Sequence, residues 1–538
     1  MKNILLNSVK IAMILLLFSI LAVPALAAPS NQISVSNFEE LKTALEDTGT
    51  TLIIFNNDIA MSKKAININP GKTELVIDGN GHTLSGYSST SSIYTINVSA
   101  SAKGILKNIT FQNMDIVGYN YHGIIIADDH KVSNGQTLTF DRISFTGPAL
   151  AKVEKGNLII RDSDILIIPS KECDAHEVAK ALTVRLEGMV NIVKDAPKSA
   201  HPLFWITHSN GGIAIAKAAK VNISNNQNGN SKKASGFVQF SCANLYIRFE
   251  DDCVFNYVGN NLFQQGDSVD QIYIGKRSDV SILLYGNLHC SYGVFNCRGV
   301  MTVDEEANLS IIVLNNKESQ PAVQMKGKGQ LIFNKPQEVF IYNSSTNSCN
   351  HGLAIGTLSC DISITYNNVK SIEYWRRNTA PYDALPSPTY LWANPSGTDF
   401  CAIEHISCSK VKQATSTAYF GSTPWNTTTA AVKDINVIRV NGGSRKMDIT
   451  VTVVWDDLNN EYNTRPAIIS VGIFRNGAPY TMQTVNATTF GNLQTVSFNG
   501  LDKYDPAGNE YIYTVVQQPV SNYLTEINDH TITNVLIR

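Results

Sequence analysis

The sequence predicts an all-β fold: a parallel β-solenoid with three strands per coil, followed by a small β-sandwich. Short alternating apolar stretches, such as LVIDG from Leu75 and LIIRD from Leu158, recur roughly 20 to 33 residues apart, a period typical of solenoids. In the middle units each repeat holds three such stretches, for example LTVRL, VNIV and PLFWIT. Stacked coils bury apolar rows that no single coil can bury alone. Near the chain end, further alternating strands and the hairpin signal Asn476-Gly477 predict the sandwich.

The beginning of the chain predicts export. Lys2 and Lys10 precede an apolar run that ends in Ala25-Leu26-Ala27, so we expect residues 1–27 to be a secretory signal peptide. A retained membrane anchor is the alternative, but the run is short for the ~20 apolar residues of a bilayer span. No later run of that length follows. We therefore expect no transmembrane segment after signal removal, and a secreted or cell-surface (extracellular) location.

The composition limits the classes of partner and cofactor that we expect this chain to bind. The chain has 538 residues, more than one core usually holds, with a formal net charge of −2 and 16% charged residues. This balance offers no electrostatic reason to expect a nucleic-acid partner. The Cys residues, which lie between Cys173 and Cys408, are too widely spaced for zinc-binding pairs. We expect no metal and no cofactor, and most of the thiols reduced rather than paired in a disulfide framework.

A helix is expected just before the first repeat. In SNFEELKTALED, Ser36 and Glu39 have the spacing of a capping box, and Phe38, Leu41 and Leu45 share one helical face. The end of a solenoid exposes unpaired strand edges. We therefore interpret this segment as an amphipathic capping helix that covers the N-terminal end.

Three stretches of the first half, VSNFEELKTAL, NNDIAM and LVIDGNGHTLSG at residues 75–86, resemble the pectate-lyase-like right-handed parallel β-helix family, in the form found on bacterial surface adhesins. The repeats extend the resemblance over residues 33–408. It implies a right-handed coil with three strands per turn. The same fold carries both enzymes and non-enzymatic proteins, so the resemblance leaves catalysis open.

The residues argue against catalysis. The lyases of this family combine Ca²⁺-binding carboxylates with an Arg base, often in R-x-P-x-x-R, but no Arg here is followed two positions later by Pro. The nearest matches to the motifs of polygalacturonases, ADDH at 127–130 and NHG at 350–352, are several coils apart. We interpret the acidic runs FEDD (249–252) and VDEE (303–306) as solvated turn carboxylates, and His82, His122 and His351 as turn or core residues. The expectation is no catalytic residues and no enzyme.

A cluster of aromatic and basic residues follows the last predicted coil. Such groups suit a sugar face or a protein partner, so they are a possible ligand surface. The alternative is that the aromatic rings plug the C-terminal end of the solenoid. The residues are Tyr374, Trp375, Arg376, Arg377, Tyr390 and Trp392.

The last part of the chain has a second resemblance. After a Thr- and Ser-rich connector at 409–445, residues 446–538 resemble the B-type repeat of the collagen adhesin family, through VTVVWDD, RPAIISVGIFRNG and FNGLDKYDPAGNEYIYTVVQQPVSNY. Such repeats are stalk segments of Gram-positive surface proteins. The adjacent carboxylates Asp456 and Asp457 are expected to serve the turn after Trp455.

Many of these repeats carry a Lys–Asn isopeptide bond, and the resemblance identifies the three positions involved. The position of the Lys is Val453, the position of the proton-shuttling Glu is Gln517, and the Asn is retained as Asn534. Lys446 is an odd number of residues from Val453, so on a regular strand it faces the other way. We expect no isopeptide bond.

Together these observations predict a secreted or surface-associated bacterial adhesin, with a non-catalytic β-helix head on a B-type stalk. Its ligand would be a host or environmental protein or glycan. The alternatives are a polysaccharide-active β-helix enzyme (a pectate lyase or glycoside hydrolase) and a non-catalytic carbohydrate-binding protein.

Overall fold

The computed structural model describes most of the chain from Asn31 onward, and the predicted signal peptide lies outside the described residues. The described ranges are 31–69, 71–88, 95–97, 108–127, 136–226, 236–259, 261–263, 269–285, 294–316, 320–345, 353–357, 361–376, 380–393, 400–406, 414–420, 423–427, 435–442, 446–458, 460–487, 492–502 and 511–537. Their secondary structure is almost entirely β. No helix among them has the length and apolar character needed to cross a membrane.

The elements of the first half are, in chain order, β1 (Asn31–Val35), α1 (Phe38–Glu46), β2 (Thr50–Phe55), β3 (Ile59–Ala60), β4 (Ile66–Asn67), β5 (Glu74–Asp78), β6 (Thr83–Ser85), β7 (Ile96–Asn97), β8 (Asn108–Val117), β9 (Ile125–Ala127), β10 (Thr137–Gly147), β11 (Ala151–Ile167), β12 (Ala179–Asp195), β13 (Phe204–Ile206), β14 (Gly212–Ile215), β15 (Lys220–Asn226) and β16 (Gly236–Phe240).

The strands that follow, up to the sandwich, are β17 (Tyr246–Phe249), β18 (Val254–Gly259), β19 (Asn261–Phe263), β20 (Val269–Ile274), β21 (Asp279–Tyr285), β22 (Phe295–Val303), β23 (Asn308–Leu314), β24 (Val323–Met325), β25 (Gln330–Asn334), β26 (Glu338–Asn343), β27 (Ile355–Thr357), β28 (Ile362–Val369), β29 (Ser371–Arg376), β30 (Tyr390–Ala393), β31 (Phe400–Ile406), β32 (Ala414–Phe420), β33 (Thr423–Thr427) and β34 (Ile435–Asn441).

The chain divides into two compact units. The first is drawn from Met1–Ala214, Lys220–Leu245 and Gly259–Asp267, and the second from Ile215–Ala219, Tyr246–Val258 and Ser268–Arg538.

Three parallel ladders run through the first unit. The first ladder joins β2, β5, β8, β10, β11 and β12. The second joins β6 to the later halves of β8, β10, β11 and β12 and then to β15. The third ladder joins β7, β9, the starts of β11 and β12, and then β13, β16 and β19. Each residue is thus paired with its counterpart one repeat further along the chain.

Rows of identical apolar character form the core of this unit. In the first ladder Phe111 pairs with Phe140, and their ring centroids are 5.7 Å apart. The same row continues through Ile160 to Leu186. All four side chains have no exposed area. The period-two pattern read from the sequence therefore corresponds to one buried and one outward face of each strand.

The long strands turn a corner through left-handed residues. Asn113, Arg142 and Asp162 occupy successive repeats with φ of 52°, 52° and 46°. In the next repeat the position is Gly188, with φ of 63°. A Cβ there would lie 2.0 Å from the Asp162 carboxylate oxygen Oδ1, so in this repeat glycine avoids a clash with the Asp162 side chain.

The predicted capping helix is present, with a different cap. Phe38, Leu41 and Leu45 are buried, as the helical face predicted. The N-cap, however, is Asn37, whose side chain accepts a hydrogen bond from the Glu40 backbone N–H at 3.1 Å. The expected Ser36–Glu39 pair is therefore wrong by one residue, because Asn is as good a cap as Ser.

In the second unit the parallel ladders recur and then end against antiparallel strands. One ladder joins β17, β20, β22, β25 and β28, another β21, β23 and β26, and a third β22, β24 and β27. Antiparallel β31 then pairs with β28, and β34 pairs with both β26 and β29. These strands cover edges that would otherwise be unpaired.

The predicted irregular connector at 409–445 differs from the structure. It contains the hairpin of β32 and β33 as well as β34. In β34 the side chains of Ile435, Val437 and Val440 are buried. The short apolar run of β34 was not recognised as a strand, because the sequence before it is rich in Thr and Ser.

The C-terminal module consists of two sheets with a shared core. Its strands are β35 (Lys446–Asp456), β36 (Ile468–Arg475), β37 (Ala478–Asn486), β38 (Leu493–Asp502), β39 (Tyr513–Gln517), β40 (Tyr523–Asn528) and β41 (Thr531–Leu536). One sheet has the order β38-β35-β41-β40 and the other β37-β36-β39. Trp455, Val471 and Phe498 belong to the buried apolar cluster formed by the two sheets.

Candidate functional site

The crosslink position in the C-terminal module brings two amides together. The Gln517 Nε2 group donates to Asn534 Oδ1 at 2.6 Å, and Asn534 Nδ2 donates to Gln517 Oε1 at 3.2 Å. The Thr525 hydroxyl also donates to Asn534 Oδ1 at 2.9 Å. Asn534 and Val453 have no exposed area. Gln517 and Asn534 form a partly buried hydrogen-bonded pair. A Val side chain offers no amine to attack an amide, and the absence of an isopeptide bond stays a prediction.

Asp457, the second carboxylate of the WDD stretch, has a larger role than the turn expected for it. It does serve the turn, because Oδ1 accepts from the Asn460 backbone N–H at 3.1 Å. It also forms a buried ion pair with Arg465, with Nε and Nη2 each 2.6 Å from a carboxylate oxygen. The Tyr523 hydroxyl donates to Oδ2 at 2.9 Å. The hydrogen bond from Arg465 is the main reason that the pKa of Asp457 is below its usual value.

The structure separates the residues of the predicted ligand surface. Tyr374 and Trp375 are 1% and 3% exposed. The Trp375 indole donates to the Pro386 carbonyl at 2.7 Å, whereas Arg376 is exposed. Trp392 is half-buried, with its ring centroid 5.1 Å from that of Tyr374. Tyr390 pairs with Tyr374 through the backbone, and Arg377 lies outside the described residues.

Beneath these residues lies a buried acid with two phenols. The hydroxyls of Tyr374 and Tyr366 donate to Glu404 Oε2 at 2.6 and 3.1 Å. Burial raises the pKa of Glu404, and the two hydrogen bonds oppose that rise. Because Tyr374 and Trp375 are interior residues, any ligand surface in this region has to be formed by the other residues of the set.

One carboxylate of each acidic run forms an ion pair with the turn that lies between the runs in the sequence. Arg277 binds Asp252 with both nitrogens, at 2.6 and 2.9 Å, and Lys276 Nζ is 2.9 Å from Glu305. The side chains of Asp252 and Arg277 are each 15% exposed, so the description as solvated carboxylates fails for Asp252. Basic and acidic turns alternate from coil to coil, a charge pattern that could have been found in the sequence.

A polar groove of about 470 Å³ lies on the second unit, next to these turns. Its lining residues are Lys217, Arg248, Glu250, Asp251, Gln271 and Tyr273. Arg248 Nη2 donates to Gln271 Oε1 at 3.0 Å, and the Tyr273 hydroxyl donates to Asp304 Oδ2 at 3.0 Å. Burial, with that hydrogen bond, raises the pKa of Tyr273, so its hydroxyl stays protonated. A phenol, a guanidinium and carboxylates around an open groove are groups that bind sugars or polar peptide segments.

The remaining candidate residues from the sequence are histidines and two short motifs, of which only some lie within the described residues. His82 Nδ1 lies 3.4 Å from Asp58 Oδ1, and the His122 ring centroid lies 3.8 Å from that of Tyr121. Burial, then the nearby charges of Lys152 and Lys180, lowers the pKa of His122 to about 4. His351, residues 128–130 and residues 350–352 lie outside the described residues.

Comparison with known proteins bears on both halves of the chain. Residues 449–535 match the family model of the Cna protein B-type domain, and residues 32–151 match the model described as "Putative pectate lyase-like adhesive domain". Both resemblances are confirmed. A collagen adhesin of Staphylococcus aureus is 40% identical over 81 residues, which make up 15% of this chain and 6% of that protein. The chain therefore spans only a small part of this relative.

Comparison with solved structures gives matches to parts of the chain. A single B repeat unit, B1, of the collagen-binding surface protein of Staphylococcus aureus is 34% identical, with 17% of this chain and 46% of that chain covered and a TM-score of 0.16. A protein named L. reuteri 53608 SRRP is 17% identical, with 56% of this chain and 99% of that chain covered and a TM-score of 0.32.

Proposed function

We propose that this chain is a non-catalytic adhesin of a Gram-positive bacterium, secreted or held at the cell surface. In this proposal residues 33–408 form a right-handed parallel β-helix with three strands per coil that binds the ligand, and residues 446–538 form the stalk. The observation that carries it is the presence of an adhesive pectate-lyase-like match and a Cna B-type match in one chain. The three recurring parallel ladders support the β-helix.

The absence of catalysis is supported by the way in which the acidic groups are engaged. A Ca²⁺-dependent lyase needs several carboxylate oxygens that converge on one ion. Asp252 and Glu305 instead bind Arg277 and Lys276. An ion competing for these carboxylates would have to break both ion pairs.

The groove around Arg248 and Tyr273 is the proposed ligand contact. Its mixture of donors, acceptors and an aromatic ring fits a glycan, and this favours the carbohydrate-binding alternative over the enzyme. The name of the curated relative includes collagen, so a protein ligand of that type is the second arm of the test.

The experiment uses residues 28–538 as one chain. Binding is measured on a glycan array and on immobilised collagen, and turnover of pectin and polygalacturonate is followed in parallel. We expect binding in one of the two binding arms and no turnover. The variant Arg248→Ala should weaken binding at least about fivefold, since truncating a residue that carries binding energy at the centre of an interface costs more than about 1 kcal/mol.

Arg298→Ala is the matched control, because Arg298 is another exposed arginine that binds a side chain of a neighbouring repeat, here Asp270, but does not line the groove. It should bind like the unaltered chain. Turnover of either polysaccharide would overturn the non-catalytic assignment. Equal loss in both variants would show that the groove is not the ligand contact.

A further inference from the structure

Two histidines and a glutamate converge on the third ladder of the first unit. His176 and His201 each stand three residues before a paired strand residue, Ala179 and Phe204. The register therefore places them in neighbouring coils at the same corner. Their ring centroids are 3.9 Å apart with the rings nearly parallel. Glu177, which is 2% exposed, supplies the carboxylate between them.

The distances between the donor atoms have the size of an edge of a metal coordination sphere. His201 Nδ1 lies 3.3 Å from Glu177 Oε1, and His176 Nδ1 lies 3.7 Å from Oε2. One ligand atom from each residue lies within 4.8 Å of the other two. Two ligands bound to a tetrahedral zinc at 2.0–2.2 Å are roughly 3.3 to 3.6 Å apart. The three groups therefore need little movement to share one ion.

The backbone around the three residues is held in place from several directions. The His176 N–H donates to the Pro148 carbonyl at 2.8 Å, and the Ser199 hydroxyl donates to the Ala175 carbonyl at 2.6 Å. The ammonium of Lys194 bridges the two histidine positions, since it donates to the carbonyls of His176 and His201 at 3.1 and 2.6 Å. A site that is already ordered loses little entropy when it binds an ion.

The donor set selects the kind of ion. Two imidazoles and one carboxylate suit zinc, cobalt, nickel or copper, whereas calcium and magnesium require oxygen ligands. The His176 and His201 side chains are 21% and 38% exposed, so an ion can reach them from solvent. Lys180 Nζ, 4.0 Å from Glu177 Oε1, would give up this contact, and it keeps its position 4.1 Å from the Trp205 ring centre.

We propose that His176, Glu177 and His201 form a binding site for one divalent transition-metal ion, with a coordination position open to water or to a ligand group. The sequence predicted no metal, because no Cys or His pair has the short spacing of a zinc motif. The solenoid register makes such spacing unnecessary.

The test uses residues 28–538 without an affinity tag, since a His tag binds the same ions. Calorimetric titration with ZnCl₂ and metal analysis after dialysis should give one ion per chain. Cobalt should give the visible absorption of a tetrahedral N/O site. Excess calcium should leave the zinc bound.

Ligand variants decide where the ion binds. His201→Ala and Glu177→Gln should each weaken zinc binding at least about 100-fold, because even changes outside the ligand shell cost 10- to 100-fold. His82→Ala, which removes another imidazole beside a carboxylate, should bind zinc normally. Melting of each variant without metal checks the fold. The proposal is overturned if the unaltered chain binds no zinc, if zinc binding survives in a folded His201→Ala or Glu177→Gln variant, or if calcium displaces the zinc.

Discussion

The parallel ladders and the C-terminal sandwich hold their polar groups in place by different means. In the ladders one corner position recurs from repeat to repeat, so that Arg277 binds Asp252 of the preceding repeat. In the sandwich Asp457, Arg465 and Tyr523 form one buried cluster, and the described residues of this module contain no second cluster of this kind. The difference teaches that the ladders distribute their stabilisation over many similar contacts. The sandwich depends on a few residues around one core.

The largest effect is expected from Trp455→Ala. Trp455 is 2% exposed and packs edge-to-face against Tyr523, with ring centroids 5.0 Å apart. Truncation should lower the free energy of unfolding of the sandwich by about 3–5 kcal/mol, as for other buried aromatic residues. Leu493→Ala, at an exposed position of the neighbouring strand, should change it by less than about 0.5 kcal/mol. Calorimetry of residues 28–538 measures both, and equal effects would contradict the single-core description.

The next largest effect is expected from Arg465→Ala. It should lower the free energy of unfolding of the sandwich by about 3 kcal/mol, because it leaves the buried carboxylate of Asp457 without its ion-pair partner. The control is Arg475→Ala, which removes a half-buried arginine stacked on tyrosines and should lower the free energy of unfolding by less than about 1 kcal/mol. Denaturant unfolding followed by tryptophan fluorescence measures the difference. Indistinguishable midpoints would show that the ion pair does not stabilise the sandwich.

The same ion pair predicts a pH dependence. Because Asp457 has a lowered pKa when folded, its contribution is complete above the unfolded value of about 4 and is lost as the pH falls through the folded pKa. The sandwich should therefore lose stability below about pH 4. Arg465→Ala should lower stability at neutral pH and flatten this acid dependence. An unchanged acid profile in the variant would assign the loss to other carboxylates.

A smaller effect is expected in the ladders. Arg277→Ala should cost about 1–2 kcal/mol, since a bidentate pair whose side chains are each 15% exposed is only partly screened by water. Arg298→Ala, which removes a similar pair with a 39% exposed arginine, should cost under about 1 kcal/mol. Thermal melting of the two variants shows whether the position of an ion pair at the corner, rather than its charge alone, determines how much the pair adds to the free energy of unfolding. A larger loss of stability in Arg298→Ala than in Arg277→Ala would contradict a special role of the corner position.

The last prediction concerns the intact mass, which should show no change from the value calculated from the sequence. The intact mass of residues 28–538 should show no loss of ammonia, because Val453 has no amine to attack Asn534. The double variant Val453→Lys, Gln517→Glu should lose one ammonia, since it restores the nucleophile and the acid. Val453→Lys alone, without the acid, is the control and should react far less. Loss of ammonia from the unaltered chain would sink the prediction.

Particular residues show how far sequence reasoning went. The apolar rows at Leu75 and Leu158 were identified from period two alone, and the ladders pair them with their counterparts in the next repeat. The helix was identified, but its cap was misplaced because Ser36 and Asn37 are equally suitable. Burial of the aromatic rings was one of two interpretations of the cluster at Tyr374, but its hydrogen bond to Glu404, a residue 30 positions further along the chain, could not be inferred.

The sequence by itself determined the all-β class and the repeat of short strands, because alternation and turn residues act over a few neighbouring positions. Only the tertiary structure decided which repeats lie side by side. That register joins His176 to His201 and Arg277 to Asp252, and it directs Tyr374 inward. The physical reason is that the contacts between repeats depend on the number of residues that separate the paired strands. No local sequence pattern determines that number.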